Sequence, residues 1–333
     1  MVRDLITRRR LMKVSGAGLV AGSSGLVAGC AGIEDIGFDP LGREDRRPIE
    51  GGIGGTGIVG LLTEFSSLII NGIKVETTAT TQYSNAFGSI LKRDVDIGNS
   101  LTVEALNGSN GVRAQRVHVT HPLIGRVQSV ATDGRSLEVN GILVLLENQA
   151  LGRAKMGDWI RISGVWSGQA VIASQVELAP ESLNVVAGEV KRTKDSIFIG
   201  GVEIIKPSYG TILRSGQFAT ALGRFEGNLL NTSRIIPGRF IGAAGPLQQL
   251  SIEGYLDRTR TAPGFKVSGL GHSFSQGLQL SQFSGERTLF EGDYSGKFEA
   301  SRGLILPQAF DDRRMALQGR RQNPANEAWV KIS

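Results

Sequence analysis

Ile70–Val75 has the sequence INGIKV, and close variants of this stretch return three times further along the chain. The other copies are VNGILV, IGGVEI and VSGLGH, which begin at Val139, Ile199 and Val267. Asn-Gly between two apolar runs is a strong signal for a tight β-hairpin, because both positions tolerate a positive φ. The repeated phrase therefore predicts four copies of one small β-unit.

The glycines around these turns recur with the same period. The set that precedes each turn has spacings of 65, 63 and 66 residues and consists of Gly60, Gly125, Gly188 and Gly254. The set that follows each turn opens an alternating strand and consists of Gly98, Gly157, Gly216 and Gly285. Seven residues later the copies have Ala105, Gly164, Gly223 and Gly292. Glycine inside a strand is typical of a bulge or a sharp barrel corner.

Each copy has room for five short strands in about sixty residues, which favours a small closed barrel of the OB type. We therefore expect an all-β chain of tandem OB-like five-stranded barrels. The predicted bounds are residues 57–120, 121–180, 181–237 and a more divergent fourth copy at 248–307. A polar segment at 308–333 is expected to be a disordered tail.

Three stretches carry a resemblance to an uncharacterised domain family of exported bacterial proteins. They are GTGIVG at residues 55–60, VNGILV at 139–144 and MGDWIRISG at 156–164. The likeness extends over about residues 55–236, and the fourth copy departs from it at Ser268–Gly271. The resemblance implies export and an OB-like fold, and it brings no known catalytic residues.

The beginning of the chain carries two targeting patterns. Thr7–Lys13 (TRRRLMK) resembles a twin-arginine export signal, in which Arg8 and Arg9 form the pair. Val27–Cys30 (VAGC) looks like a lipobox, in which the Cys30 thiol takes a lipid. We therefore expect a signal peptide at residues 1–29, a flexible tether at 30–56 and a membrane anchor at Cys30. The alternative is a buried N-terminal helix with a chance cysteine.

The net charge of +6 is concentrated in the predicted signal peptide. Residues 1–29 hold five of the 37 basic side chains and one of the 31 acidic ones, so the remainder carries a net charge of only +2. A nearly neutral surface argues against nucleic acid as a partner, since that partner needs a concentrated basic field. The expected location is the cell envelope, on the outer or inner membrane, facing the periplasm or the cell surface.

Aromatic residues recur at fixed offsets from the glycines that open the fourth strand. OB barrels can present aromatic rings and basic groups to bases or sugars. The candidate ligand-binding residues are Trp159, Arg161, Trp166, Phe218, Phe225 and Tyr294. The structural alternative is that these rings cap the barrels or pack between neighbouring domains.

No catalytic residue, metal ligand or cofactor motif is predicted. His118 and His121 are three residues apart, so in a strand they point to opposite faces and do not form one metal site. The third histidine, His272, lies two copies away. A GxSxG nucleophile motif does not occur.

These observations favour a non-enzymatic envelope lipoprotein that binds an envelope protein or a glycan. One alternative is an enzyme acting on envelope polysaccharide, which requires two carboxylates in one cleft. The other is a structural spacer, which requires extensive contacts between successive barrels and no sizeable pocket.

Overall fold

The computed structural model describes residues 54–65, 67–108, 111–147, 154–205, 212–260, 264–273, 280–322 and 329–331. The predictions for Arg8, Arg9, Cys30 and the tether at 30–56 therefore lie outside the described residues, apart from the last residues of the tether. The described part of the chain is nearly all-β, as predicted, and belongs to one unit, Pro48–Ser333.

The first segment forms a closed five-stranded barrel. The segment has seven strands in all: β1 (Gly55–Glu64), β2 (Leu68–Ile70), β3 (Ile73–Glu76), β4 (Gln82–Asn85), β5 (Gly88–Ser89), β6 (Ser100–Gly108) and β7 (Gly111–Val119). The pairings run from β1 to β2, to β3, to β7 in parallel, to β6 and back to β1. This circuit leaves none of the five strands with an open edge, which is the advantage of barrel closure. Strands β4 and β5 lie outside the circuit and extend the sheet from β7.

The second and third segments repeat the same circuit. The second consists of β8 (Leu123–Val130), β9 (Ser136–Val139), β10 (Ile142–Leu146), β11 (Trp159–Ser167) and β12 (Ala170–Leu178). The third consists of β13 (Asn184–Arg192), β14 (Ile197–Ile199), β15 (Val202–Ile205), β16 (Phe218–Glu226) and β17 (Leu229–Pro237). In each, the third strand pairs in parallel with the fifth and the fourth returns to the first. The prediction of small closed five-stranded barrels is confirmed.

The fourth segment is built differently. It contains β18 (Leu247–Gly254), β19 (Leu256–Arg258), β20 (Phe265–Val267), β21 (His272–Ser273), β22 (Thr288–Tyr294) and β23 (Phe298–Ile305). Strands β18, β22 and β23 form one sheet, and β19, β20 and β21 form another. Within the described ranges, no pairing joins these two sheets into a ring.

A bulge occurs at the same place in every segment. The register of the long hairpin shifts at Ala105 in the first segment and at Gly164, Gly223 and Gly292 in the other three. A Cβ at Gly164 would lie 2.2 Å from the carbonyl oxygen of Ile172. In the three segments that have glycine at this position, the glycine is required by close backbone contact across the bulge.

The turn asparagines join neighbouring segments. Asn140 adopts a positive φ of 56°, and its amide Nδ2 donates to the carbonyls of Ile124 in its own barrel (3.0 Å) and Val185 in the third barrel (3.2 Å). Asn71 likewise donates to Val59 (3.1 Å) and to Ser251 in the fourth segment (3.3 Å). The repeated Asn-Gly phrase thus serves the contact between segments as well as the hairpin.

These contacts pair the first segment with the fourth and the second with the third. Strand β1 runs parallel to β18, and β8 pairs with β13. The second and third barrels share one apolar core, which includes Trp166, whereas the first barrel and the fourth segment each have a separate core. The four segments therefore form a closed cluster, because the last segment returns to the first.

The prediction of a disordered tail is wrong for its described part. Residues Phe310–Gln322 form helix α1, and Val330–Lys331 form a short strand, β24, on β23. The helix is held because Arg313 is fully buried in an ion-pair cluster and Leu317 packs with Leu289 and Leu306. Residues four apart share one helix face, so a polar segment can still bury one side. Across the described ranges, no helix is long and apolar enough to cross a membrane.

Candidate ligand-binding groove

A groove of about 930 Å³ lies beside the first barrel. One wall comes from the segment between β3 and β6, which folds into the extra β4–β5 hairpin. The floor includes Arg116 and His118 of β7, and the opposite side includes Ile236 and Ile241 from the end of the third segment. The groove therefore exists because the hairpin stands beside the barrel.

Hydroxyl and amide side chains dominate the wall. Gln82, Tyr83, Ser84 and Asn85 all line the groove from β4. Ser84 Oγ lies 2.9 Å from His118 Nδ1, because these residues are direct neighbours in the parallel pairing of β4 with β7. Gln82 is exposed, whereas Tyr83 is half-buried, packs against the core of the first barrel and has a buried hydroxyl. This combination is suited to a polar, uncharged ligand.

The charges beneath the groove are already neutralised. Arg116 pairs with Glu104 at 3.1 Å, and both side chains are buried. Glu104 also accepts hydrogen bonds from the backbone N–H groups of Ile241 (3.0 Å) and Ala243 (2.8 Å). Burial lowers the pKa of Arg116, although Glu104 opposes this shift. The ion pair therefore has a structural role, because Glu104 connects the backbone at Ile241 and Ala243 to the first barrel.

His118 is a neutral imidazole at physiological pH. Burial lowers its pKa to about 3, and the nearby cations Arg116 and Arg239 add to this shift. A neutral ring can exchange hydrogen bonds with Ser84 without adding charge to the groove. Lys92 brings a positive charge to the rim and donates to Thr77 Oγ1 at 3.1 Å. The described lining of this groove contains no Asp or Glu side chain.

Trp166, one of the predicted ligand-binding residues, is buried between segments. Only 3% of the side chain is exposed, and Nε1 donates to the carbonyl of Ala187 at 2.9 Å. Ala187 is the residue before the repeat glycine Gly188, just as Ile124 is the residue before Gly125. In the second barrel the carbonyl at this position accepts from the turn residue Asn140, and in the third barrel it accepts from the indole of Trp166 instead. A Cβ at Gly200 would lie 2.8 Å from Trp166 Cζ2, which explains why the third turn has glycine instead of asparagine.

Phe218 is also buried, at 7% exposure, and the guanidinium of Arg239 covers its ring at 3.7 Å. The expectation that Trp166 and Phe218 form a surface for stacking a ligand is therefore wrong. Both rings fill the interior where segments meet, which is the structural alternative for this residue set. An aromatic ring needs an open face to stack a sugar or base.

The other candidates are scattered. Trp159 is half-buried, Arg161 is exposed and paired with Glu177 at 2.7 Å, and Phe225 packs on the core of the second and third barrels. Tyr294 lies in a separate cavity of about 480 Å³, against Phe240 in an edge-to-face contact of 5.8 Å. Burial raises the pKa of Tyr294, and Arg239 opposes this shift. None of the six predicted residues lines the groove beside the first barrel.

The two neighbouring histidines point to different surroundings. His118 lies at the groove, whereas His121 is buried elsewhere and its Nδ1 has no hydrogen-bond partner. Burial lowers the pKa of His121 to about 4, and Arg161 contributes to this shift. Within the described ranges, no cluster of three or more His, Cys, Asp or Glu residues could hold a metal ion.

A second cavity, of about 750 Å³, lies where the second, third and fourth segments meet. Its lining is more charged than that of the groove and includes Lys191, Asp257 and Arg258. Glu189 and Lys266, which also line it, form an ion pair across the third and fourth segments. This cavity holds Gln169 as an exposed amide and provides a natural comparison site for the groove.

Residues 56–118 match a family described as a domain of unknown function (DUF5666). This stretch covers the first barrel with its β4–β5 hairpin, and so holds most of the groove. No curated protein and no solved structure matches the chain.

Sequence reasoning missed the groove, although the sequence contains a signal for it. The interval between the turn glycine and the next aligned glycine runs from Gly72 to Gly98 in the first copy and from Gly141 to Gly157 in the second. The first copy is therefore longer at the loop by the length of a short hairpin. An insertion in one copy of a repeat is a pointer to a binding face.

Proposed function

We propose that this protein is a non-catalytic cell-envelope lipoprotein whose tandem OB-like domains bind an envelope glycan. The observation that carries the proposal is the groove beside the first barrel, whose wall is made of uncharged hydroxyl and amide groups. Sugars present many hydroxyls and an apolar ring face. Side-chain amides and hydroxyls of the lining pair with the former, and the aliphatic side chains of Ile236 and Ile241 provide apolar contact for the latter.

Export and lipidation belong to the same proposal. The TRRRLMK pattern with Arg8 and Arg9 supports twin-arginine export, and the VAGC pattern supports attachment of lipid at Cys30. In this scheme the lipid holds the protein at the membrane, the segment between Cys30 and the start of β1 acts as a tether, and the barrels bind the glycan. We also propose that the fourth segment is a divergent copy of the same OB-like unit, because its hairpin bulge at Gly292 matches those at Gly164 and Gly223.

The two alternative functions have less support. A polysaccharide-cleaving enzyme would need paired carboxylates in the groove, and the described lining offers none. In the second cavity Glu189 is engaged by Lys266, and Asp257 accepts a hydrogen bond from Ser268. A structural spacer would need no sizeable pocket, whereas the groove beside the first barrel has a volume of about 930 Å³.

The proposal is tested by titrating the purified protein with soluble fragments of neutral envelope polysaccharide and measuring heat of binding. Gln82→Ala and Ser84→Ala should each weaken binding about 2- to 10-fold, which is the net effect of losing one hydrogen bond. Gln169→Ala, an exposed amide in the second cavity, is the matched control and should leave affinity unchanged.

Two outcomes would contradict the proposal. One is saturable binding that Gln82→Ala and Ser84→Ala leave intact, because the ligand would then occupy another site. The other is no glycan binding together with capture of an envelope protein that depends on Gln82, which would assign the groove to a protein partner.

A further inference from the structure

Arg239 is a buried cation that no described carboxylate neutralises. Its side chain is 7% exposed, Nη1 donates to Thr102 Oγ1 at 2.9 Å, and Nε has no hydrogen-bond partner. The Phe218 ring covers one face of the guanidinium at 3.7 Å. A buried charge is costly unless it is paired, so this arrangement calls for a counter-charge.

Two buried carboxylates, Glu104 and Glu253, are engaged by other cations, although Glu253 borders the same cavity as Arg239. Glu104 binds Arg116 and the backbone N–H groups of Ile241 and Ala243. Glu253 is shared by Arg287 at 2.7 Å and Arg313 at 3.2 Å. Burial lowers the pKa of Arg239 to about 9, so the guanidinium still carries its charge at neutral pH. One positive charge is therefore left over at the centre of the protein.

The guanidinium borders a small internal cavity of about 20 Å³. The cavity lies where all four segments meet, since its lining includes Ser100 of β6, Trp166 of β11, Phe218 of β16 and Glu253 of β18. A space of this size holds about one water-sized particle, because a single water needs roughly 10–15 Å³. An organic ligand is excluded by volume alone.

We propose that this cavity holds one small inorganic anion of the size of chloride, paired with the guanidinium of Arg239. The free Nε–H provides a charge-assisted hydrogen bond, and such bonds to an ionised partner are the strong ones. Because the cavity is bordered by residues from every segment, the anion binds the assembled cluster and stabilises it over separated barrels. A water molecule would fill the same space without neutralising the charge.

The test is thermal and urea unfolding in sodium chloride against sodium gluconate at equal ionic strength, since gluconate is too large to enter. For the wild-type protein, the ratio of folded to unfolded molecules should rise about 100-fold when chloride reaches about 100 times its Kd. Arg239→Met removes the charge and keeps an apolar stem over Phe218, so the chloride effect should vanish. Arg224→Met, at an exposed position on β16, should retain it.

A second measurement on the wild-type protein guards against misfolding of Arg239→Met. Crystals soaked in sodium bromide should show an anomalous scattering peak in contact with the Arg239 guanidinium. A bromide-free cavity, or a chloride effect of equal size in Arg239→Met, would overturn the proposal. The cavity would then hold water only.

Discussion

Replacement of Arg313 by methionine should destabilise the protein by about 3–5 kcal/mol, the usual cost of breaking a buried ion pair from one side. The reason is a cluster of four charges in which Arg287 and Arg313 bind Glu147 and Glu253. Both arginine side chains are 0% exposed, and the glutamates are 7% and 1% exposed. Arg313 lies 2.9 Å from Glu147 Oε2 and also donates to the carbonyls of Pro307 (3.1 Å) and Gln308 (2.7 Å).

Without Arg313, two buried carboxylates would face the single cation of Arg287. The cluster joins the second barrel through Glu147, the fourth segment through Glu253 and the C-terminal helix through Arg313. Loss of the cation should therefore release the helix as well as lower the free energy of unfolding. Urea unfolding gives the free energy, and hydrogen exchange of residues 310–322 reports on the helix.

The matched control is Arg161→Met. Arg161 also pairs with a glutamate, Glu177 at 2.7 Å, but 43% of its side chain is exposed. Exposed pairs contribute about 0–1 kcal/mol, so this variant should lose little stability. If Arg313→Met lost no more than Arg161→Met, the buried cluster would not stabilise the fold in the way described.

The same cluster predicts a pH dependence. Burial alone would raise the pKa of Glu253, but Arg287 and Arg313 outweigh it, so the pKa lies below its ordinary value of 4.5. A carboxyl whose pKa is lowered by folding contributes stability that is present above pH 4.5 and is lost as pH falls through the lowered pKa. In Arg313→Met one of the two cations is absent, so the folded-state pKa of Glu253 rises towards its ordinary value. The acid loss of stability due to Glu253 should therefore be smaller and be complete at a higher pH than in the wild-type protein.

Three further predictions concern other parts of the chain. Asn140→Ala should lower the free energy of unfolding in urea by about 2–4 kcal/mol, because it removes two buried hydrogen bonds and places alanine at a positive φ. Asn231→Ala, at an exposed position, should lower it by less than about 1 kcal/mol. Equal losses would refute the proposed role of the turn asparagine. The histidines should make stability fall between pH 6.5 and about 4, because folding lowers the pKa of His118 to about 3 and of His121 to about 4. His118→Gln should reduce that slope by about 1.4 kcal/mol per pH unit, and an unchanged slope would contradict the assignment. Cys30→Ser should abolish labelling by a fatty-acid probe and release the protein from membranes; an unaltered, membrane-bound product would exclude the lipoprotein proposal.

The barrels were predictable because their constraints are local. A tight hairpin needs a positive φ at two adjacent residues, and the four repeated turn sequences indicate such hairpins. The bulge needs a glycine where a Cβ would meet the carbonyl of the facing strand, as at Gly164 and Gly223. Both requirements act within one hairpin, so they leave a periodic trace in the sequence.

Contacts between segments produce no comparable periodic pattern in the sequence. Trp166 keeps a fixed offset from the repeat glycines, which suggested a ligand surface, yet its N–H group binds Ala187 of the next barrel. The clue was the missing asparagine at Gly200, but its meaning depends on which segments are neighbours. The helix at the end of the chain was missed for the same reason, since Arg313 is buried by two glutamates from distant segments.

The groove could be predicted only in part from the sequence. The longer first copy marks an insertion, but only the fold shows that the insertion pairs with β7 in parallel and brings Ser84 to His118. Parallel pairing across more than thirty residues cannot be inferred from a hairpin pattern.

The most direct test of the proposed function is hydrogen–deuterium exchange of the full mature protein with and without the neutral envelope glycan. Glycan bound in the groove should slow exchange in residues 82–89 of the extra hairpin and in residues 116–118 of β7, with little change outside the groove. Protection confined to residues 242–248 and 294–296, around the Tyr294 cavity, would place the ligand at another site and contradict the proposed glycan-binding groove.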